Sequence, residues 1–209
     1  MKWLSSLGSR SSLPPSGQVR QHTSLALNAL LERLPGGRKH IILDLGPACG
    51  RNIEFFSHFS CKIYIEALHQ TLNSFDFLSP EDGVALDRVF RYLLPFPENT
   101  RFDAILSWDL FNYLERDELH HLVRHLARFC CPGSLLMALI STNKLIPERP
   151  GTYRIQDRNS LLHDNSSGIK KPCPQYGPVD FKHLMPDFTV CCSFVLRNGF
   201  REYLFALDK

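Results

Sequence analysis

Residues 41–50 read IILDLGPACG, and this stretch decides the fold of the 209-residue chain. Four apolar residues surround a single acid, Asp44, and the run then breaks at Gly46. A continuous apolar run indicates a buried parallel strand, and the small residues after it indicate a tight turn. Glycine adopts backbone conformations that side chains disfavour, so a ligand can approach such a turn at backbone distance. The stretch therefore predicts a strand, a ligand-binding turn and a helix.

The spacing of the small residues argues against two known kinds of nucleotide-binding turn. A dinucleotide-binding turn follows G-x-G-x-x-G, and a P-loop follows G-x-x-x-x-G-K-[ST]. Neither pattern is present, because the glycine after Gly46 is Gly50 and Arg51 follows it. The chain instead has Asp44 two positions before G-x-A-x-G, and a second acid, Glu66, ends the next apolar stretch, CKIYIEAL.

This pattern resembles the class I (Rossmann-like) methyltransferases that use S-adenosylmethionine. In that family a D/E-x-G-x-G/A-x-G turn holds the amino acid part of the cofactor, and an acid ending the second strand holds the ribose hydroxyls. The resemblance implies S-adenosyl-L-methionine as the cofactor. Ala48 stands where many members have glycine. The cofactor-binding residues that it implies are Asp44, Gly46, Ala48, Gly50, Glu66, Asp87 and Asp109.

Two alternatives stay open for these acids. The turn is either a cofactor site or an ordinary strand-to-helix connection, and Glu66 either binds a ribose or is a surface charge. In many family members an Asp shortly before L-P-F binds adenine, but here Phe90 stands four positions before Leu94. Either Asp87, the nearest acid, contacts the adenine, or Phe90 stacks on it or walls it off.

The hydrophobic pattern predicts alternating strands and helices. An amphipathic helix over residues 27–34 precedes the turn, and the clearest helix covers residues 115–130. Asn198-Gly199 predicts a hairpin between the last two strands. The predicted fold is α/β: a three-layer, Rossmann-like, doubly wound and mostly parallel seven-stranded sheet with a C-terminal antiparallel hairpin. Its strands are predicted at residues 41–45, 61–65, 84–90, 102–108, 134–140, 188–196 and 200–207.

Length and composition predict one globular domain, since 44% of the residues are hydrophobic and 22% are charged. Residues 1–18, rich in Ser, Pro and Gly, are predicted to be a flexible segment, and residues 19–209 a single methyltransferase-like domain. Residues 141–186 contain six of the fourteen prolines, which excludes a long regular element. Such segments are typically lids or binding loops, so we expect a lid or substrate-binding insertion. The alternative is a disordered surface insert.

Charge and cysteine usage restrict the partners. A net charge of +3 does not point to nucleic acid, and no run of 18 apolar residues or secretory h-region occurs, so no membrane partner is expected. The seven cysteines show no C-x-x-C spacing, which favours reduced, mostly buried thiols in a cytoplasmic protein. His121 and His125 are spaced to chelate a metal, but no third ligand is evident and we predict no metal site. Both are predicted to face solvent.

The predicted activity is S-adenosylmethionine-dependent methyl transfer to a small molecule. Asp109 follows the predicted strand FDAILSW, where ligands bind in open α/β sheets, and it is assigned either to the cofactor, to proton abstraction or to a helix cap. An oxygen or carbon acceptor needs a base, whereas a sulfur or unprotonated nitrogen acceptor does not. The candidates, in order, are Asp109, His163, Tyr153 and Tyr176.

Elimination supports the small-molecule acceptor. No N/D-P-P-Y/F sequence follows the fourth strand, which argues against amino methylation of DNA bases or glutamine, and no Pro-Cys follows it, which argues against cytosine carbon methylation. The alternative is a non-catalytic protein of the same fold that binds cofactor or a protein partner. An NAD-dependent oxidoreductase is disfavoured by the glycine spacing.

Overall fold

The structure is a computed structural model that describes residues 19–34, 36–73, 86–164 and 168–208. The predicted flexible segment at residues 1–18 lies outside these ranges. The strands are β1 (Val19–Thr23), β2 (His40–Asp44), β3 (Cys61–Ile65), β4 (Phe102–Trp108), β5 (Cys130–Ser141), β6 (Leu145–Pro147), β7 (Thr152–Asp157), β8 (Ser160–Asp164), β9 (Lys170–Pro172), β10 (Phe188–Val195) and β11 (Phe200–Leu207). The helices are α1 (Leu25–Arg33), α2 (Gly50–Ser57), α3 (Leu68–Asn73), α4 (Leu86–Leu93), α5 (Arg116–Ala127) and α6 (Pro178–Leu184).

The central sheet is mixed and has the strand order β10-β11-β5-β4-β2-β3. Strands β3, β2, β4 and β5 are parallel, while β11 is antiparallel to β5 and β10 is antiparallel to β11. The chain starts the parallel part at β2, goes to β3 on one side and then crosses to β4 and β5 on the other. The order therefore reverses between β2 and β4, which is where α/β sheets bind ligands.

The predicted strand at residues 84–90 is wrong over its described part, and the described residues form six strands in this sheet instead of seven. Residues from Leu86 form helix α4. Leu86, Val89, Phe90 and Leu93 are spaced i, i+3, i+4 and i+7, which is a helical period, and the last three are buried. The helix packs against α5, and the apolar residues that suggested a strand lie on one face of this helix.

Helices cover both faces of the sheet, which gives three layers. One apolar core joins the sheet to α3, α4, α5 and α6, and a second joins its other face to α1, α2 and strands β7 and β8. Helix α1 confirms the predicted amphipathic helix and packs on β5, β10 and β11. The fully buried Glu202 accepts a hydrogen bond from the Ala26 amide at 3.0 Å, and burial raises the pKa of this glutamate. A carboxyl group thus holds the amino end of α1 on the sheet.

The long helix ends earlier than predicted. It stops at Ala127, and β5 already begins at Cys130 and continues through Gly133, whose φ is 87°. His125 was expected to face solvent, but it is buried and its Nε2 lies 3.1 Å from the Leu94 carbonyl oxygen.

Only two of the seven cysteines are buried, so the expectation of mostly buried thiols is also wrong.

Residues 141–186 contain more regular structure than their prolines suggest, although no described element that lies wholly within them exceeds seven residues. Strands β7 and β8 join β1 in an antiparallel sheet of order β1-β8-β7, and β6 pairs with β9 in a two-stranded ribbon. No described helix is long and apolar enough to cross a membrane.

Asn52 links the small sheet to the central domain. It lies on α2 and is buried; its Nδ2 donates to the Tyr153 carbonyl at 3.0 Å, and its Oδ1 accepts from the Ile155 amide at 2.8 Å. One side chain therefore continues the hydrogen bonding of strand β7 onto the helix that follows the glycine turn.

We predict that Asn52→Ala loosens this docking. The substitution leaves a buried carbonyl and a buried amide without partners, and each such group costs about 1–3 kcal/mol. Urea unfolding should show lower stability, and hydrogen exchange should rise over Thr152–Asp157. The control is Asn28→Ala, which removes only an exposed bond to Glu32. Equal stability of the two variants would contradict the role of Asn52.

Candidate functional site

A cavity of about 450 Å³ opens at the point where the strand order reverses. Three of its walls come from the carboxyl ends of β2, β3 and β4, and the fourth comes from the segment before β7. This volume is within the range of small-molecule sites, roughly 300–1,000 Å³. The lining residues are 45–47, Ala67, His69, Gln70, 107–110 and 149–152.

Asp44 and Trp108 hold the two central strand ends together. The Asp44 carboxyl, 1% exposed, accepts hydrogen bonds from Trp108 Nε1 at 2.6 Å and from the Gly46 amide at 2.9 Å. Burial raises the pKa of Asp44, and the bonds from Trp108 and Gly46 oppose that rise. Gly46 has no room for a side chain, because a Cβ there would lie 2.8 Å from Trp108 Cδ1. The turn therefore needs glycine so that the indole can pack against it.

The end of β4 is irregular in a way that aims Trp108 and the next residue. The pairing of β4 with β5 shifts by one residue between Leu106 and Trp108, which places a bulge at Ser107. Trp108 has a φ of 49°, the one positive value among the described non-glycine residues. A bulky residue in this region carries strain of about 1–3 kcal/mol, and such strain is concentrated at functional sites. The bulge and the strained residue direct the indole over the turn.

Asp109 lines the cavity directly after this irregular strand end. It is 4% exposed, and its Oδ2 accepts a hydrogen bond from the Gly151 amide at 3.3 Å. Burial raises the pKa of Asp109 to about 7, and interactions with Gly151 and the Tyr153 hydroxyl oppose the rise. The Tyr153 hydroxyl makes no well-formed hydrogen bond in this arrangement. The carboxyl group can therefore hold or release a proton near neutral pH.

Tyr153 and His163 form a stack behind the cavity wall. The Tyr153 ring lies parallel to the Trp108 indole with centroids 5.5 Å apart, and the His163 ring is also stacked on Tyr153, with centroids 4.2 Å apart. Burial is the main cause that lowers the pKa of His163, to about 4. A Cβ on Gly151 would lie 2.0 Å from His163 Nε2, so glycine is required there too. These two candidate bases do not line the cavity, and they support the wall that carries Asp109.

The predicted cofactor residues are only partly brought together. Gly46 and Asp109 line the cavity, and Asp44 lies buried beneath the turn. Glu66 is half-buried and is followed by the lining residue Ala67; burial raises the pKa of Glu66, and its amide donates to the Asp44 carbonyl at 2.8 Å. Two further members of the set, residues 48 and 50, do not line the cavity.

Asp87 and Tyr176 lie elsewhere, which corrects their expected placement at the site. Asp87 is on helix α4, and its carboxyl is 2.7 Å from Nδ1 of His121 on α5; the hydrogen bond from His121 lowers the pKa of Asp87. The Tyr176 hydroxyl donates to the Leu114 carbonyl, and its ring belongs to the core. Phe90 is also in that core. Among the described residues no group of three or more metal-binding side chains is present.

Asn112 is a site residue that the sequence analysis missed. Its Nδ2 donates to the carbonyls of Asp109 and Leu139, both at 2.8 Å, and its Oδ1 accepts from the Ser141 amide at 2.7 Å. All three polar groups belong to the ends of β4 and β5 or to the turn after them. A buried Asn three residues after a strand-end acid is the signal that could have suggested this clamp.

No family model matches the sequence, and no curated protein matches it. Among solved structures, the chain is similar to the PH0226 protein from Pyrococcus horikoshii OT3, with 15% identity, a TM-score of 0.50 and 88% of each chain covered. It is also similar to an S-adenosylmethionine-dependent methyltransferase from Clostridium acetobutylicum ATCC 824, with 14% identity, a TM-score of 0.50, and 88% of this chain and 92% of that chain covered.

The chain has the fold of the class I S-adenosylmethionine-dependent methyltransferases. At these identities the likeness concerns the fold alone.

We predict that Gly46→Ala and Gly50→Ala differ sharply, although both glycines belong to one motif. A Cβ at Gly46 meets the Trp108 indole, whereas a Cβ at Gly50 meets nothing within 4 Å. Gly46→Ala should lower the free energy of unfolding by about 1–3 kcal/mol through overpacking. Gly50→Ala should leave it unchanged or raise it by about 0.4–1 kcal/mol, since alanine restricts the unfolded chain. Chemical denaturation measures both, and equal losses would contradict this packing.

We also predict that Asp109 makes the protein less stable as the pH rises. Its pKa is about 7 in the folded state and is raised from 3.8, so between these values the folded state holds a proton that the unfolded state releases. The contribution of Asp109 to stability therefore falls from about pH 4 to about pH 7 and is flat above. Asp109→Asn should remove this fall in urea unfolding measured across that range. An identical pH profile in both proteins would contradict the raised pKa.

Proposed function

We propose that this protein is an S-adenosylmethionine-dependent methyltransferase that acts on a small-molecule acceptor. The observation that carries the proposal is the position of the cavity, which lies at the reversal of strand order and is lined by both Gly46 and Asp109. The fold supports the same reaction class, and the concave shape of the site suits a small ligand.

The residues present fit an S-adenosylmethionine-type ligand. The turn at Gly46 offers a close approach to the backbone, and the half-buried Glu66, at the end of β3, is the acid that would accept hydrogen bonds from ribose hydroxyls. The indole of Trp108 and residues Ala67 and Gln70 would form neighbouring walls. When bound, the cofactor supplies a methyl group that is electrophilic because it is attached to a sulfonium.

The protein's own residues position the acceptor and exclude water. Trp108 is fixed by its bond to Asp44 and by its stack on Tyr153, so the wall next to the reacting group is rigid. Asp109 is a carboxyl group on the cavity wall that can take a proton from an oxygen or carbon acceptor. With a pKa of about 7, a substantial part of this carboxyl is ionised at neutral pH.

A second function is favoured by two observations. The Trp108 indole packs on the Gly46 turn, and neither Glu66 nor Asp87 lines the cavity. A non-catalytic protein of the same fold, which binds a cofactor or a protein partner, would keep such an arrangement.

Titration calorimetry distinguishes these functions. We expect saturable binding of S-adenosylmethionine and none of NAD. Incubation of the protein with S-adenosylmethionine and a metabolite panel should release S-adenosylhomocysteine. Glu66→Ala should weaken the cofactor about 10–100-fold, because it removes hydrogen bonds to a charged group. Glu54→Ala, an exposed acid on α2, is the matched control and should bind normally.

Three outcomes would contradict the enzyme assignment or the role of Glu66. If neither S-adenosylmethionine nor NAD gives heat of binding, the non-catalytic protein of the same fold is favoured. Binding of NAD alone would favour an oxidoreductase. Unchanged cofactor affinity in Glu66→Ala would show that this acid does not hold the ribose.

A further inference from the structure

Two basic residues of the β6–β9 ribbon and its end lie beside one side of the cavity, next to Tyr113 and His69. Arg149 follows β6 by two residues and lines the cavity, while Lys171 is the middle residue of β9. The register pairs Ile146 with Lys171, and the Glu148 amide donates to the Ile169 carbonyl at 2.9 Å. The ribbon therefore carries Lys171 within it and Arg149 just beyond its end, and both charges act on the ring of His69.

Tyr113 and His69 lie beside these two cations. Lys171 Nζ lies 4.8 Å from the centre of the Tyr113 ring, and the Tyr113 hydroxyl donates to the Arg149 carbonyl at 3.0 Å. His69, another lining residue, contacts the edge of Tyr113 with ring centres 5.1 Å apart. Burial, and after it the charges of Lys171 and Arg149, lower the pKa of His69 to about 4, so this imidazole is neutral at pH 7.

Three arginines of the described residues are neutralised by ion pairs, and the two cations at the ribbon are not. Arg38, Arg116 and Arg154 each form an ion pair with an aspartate. Within the described ranges no carboxylate forms an ion pair with Arg149 or Lys171. Two positive charges beside an open cavity attract an anion from solution and favour its binding there.

We propose that Arg149 and Lys171 bind an anionic group of the methyl acceptor, a carboxylate or a phosphate, at the mouth of the cavity. The identification of the bound molecule as a methyl acceptor rests on the proposed function, but the anion site itself does not. The acceptor would then carry its acid group at the ribbon and its methylated atom toward Asp109. Asp109 is deep in the same cavity, so the two ends of the molecule meet groups of different charge.

The imidazole of His69 reports on this site without any enzyme assay. An anion bound at Arg149 and Lys171 offsets the charges that act on the ring, so it should raise the pKa of His69. We would titrate the full-length protein with inorganic phosphate and, separately, with acetate at constant ionic strength, and follow the His69 ring by NMR. A His69→Gln variant assigns the signal.

The expected result is a saturable shift of the His69 signal with at least one of the two anions. Arg149→Ala and Lys171→Ala should each weaken it about tenfold, since each removes a charge-assisted hydrogen bond. Lys171→Arg should keep it, because the charge remains. Lys170→Ala is the matched control: Lys170 is the exposed neighbour on β9, its side chain points to the opposite face, and its loss changes the net charge equally.

A response to only one of the two anions would show whether the site prefers a phosphate or a carboxylate. Equal shifts in Lys171→Ala and Lys170→Ala would overturn the proposal, because they would show general screening. Loss of S-adenosylmethionine binding in Arg149→Ala would also overturn it, because Arg149 would then hold the cofactor's carboxylate. If the wild-type protein binds no S-adenosylmethionine but shows the anion response, the methyltransferase proposal fails and the anion site stands.

Discussion

The hydrogen bond between the buried Asp44 carboxyl and the Trp108 indole is the interaction on which the site depends. Asp44 ends the first parallel strand and Trp108 ends its neighbour, so one bond fixes the two strand ends that flank the reversal point. A buried carboxylate is costly unless donors satisfy it, and the Gly46 amide supplies a second bond. The turn, the indole and the acid therefore constrain one another, and glycine at position 46 follows from that constraint.

Strain and support are distributed around this bond. The positive φ of Trp108 is unfavourable for a bulky residue, and it persists because the surrounding contacts all require the same position of the ring. Tyr153 packs on the free face of the indole, and Asn52 ties the backbone of Tyr153 to the helix after the glycine turn. The small sheet is thus a structural support of the cavity wall as well as a part of its rim. That wall also holds Asp109 in the dry surroundings that raise its pKa.

The sequence predicted the parts of the fold that periodicity determines. The first parallel strand, the helix before it and the strand ending at Trp108 form where the apolar pattern places them. The strand predicted at residues 84–90 is wrong because a short apolar stretch is compatible with both a strand and a helix. Packing against α5 favours the helix that residues 86–93 form. The resemblance of the motif at Asp44 and Gly46 to a known family, and the position of Asp109 after an apolar strand, predicted that these residues lie at the candidate site. The roles of Trp108, Asn112 and Arg149 could not, because they depend on a bulge, a buried clamp and a ribbon that only tertiary contacts create.

A crystal structure of the protein soaked with S-adenosylhomocysteine tests the central claim most directly, because it locates the ligand relative to the Asp44–Trp108 pair. We expect density for the nucleoside in the cavity between the Gly46 turn and Asp109, with the sugar beside Glu66 and the bond between Asp44 and Trp108 intact. Density at another surface, or a cavity that stays empty at saturating ligand with the indole covering the turn, would contradict the account.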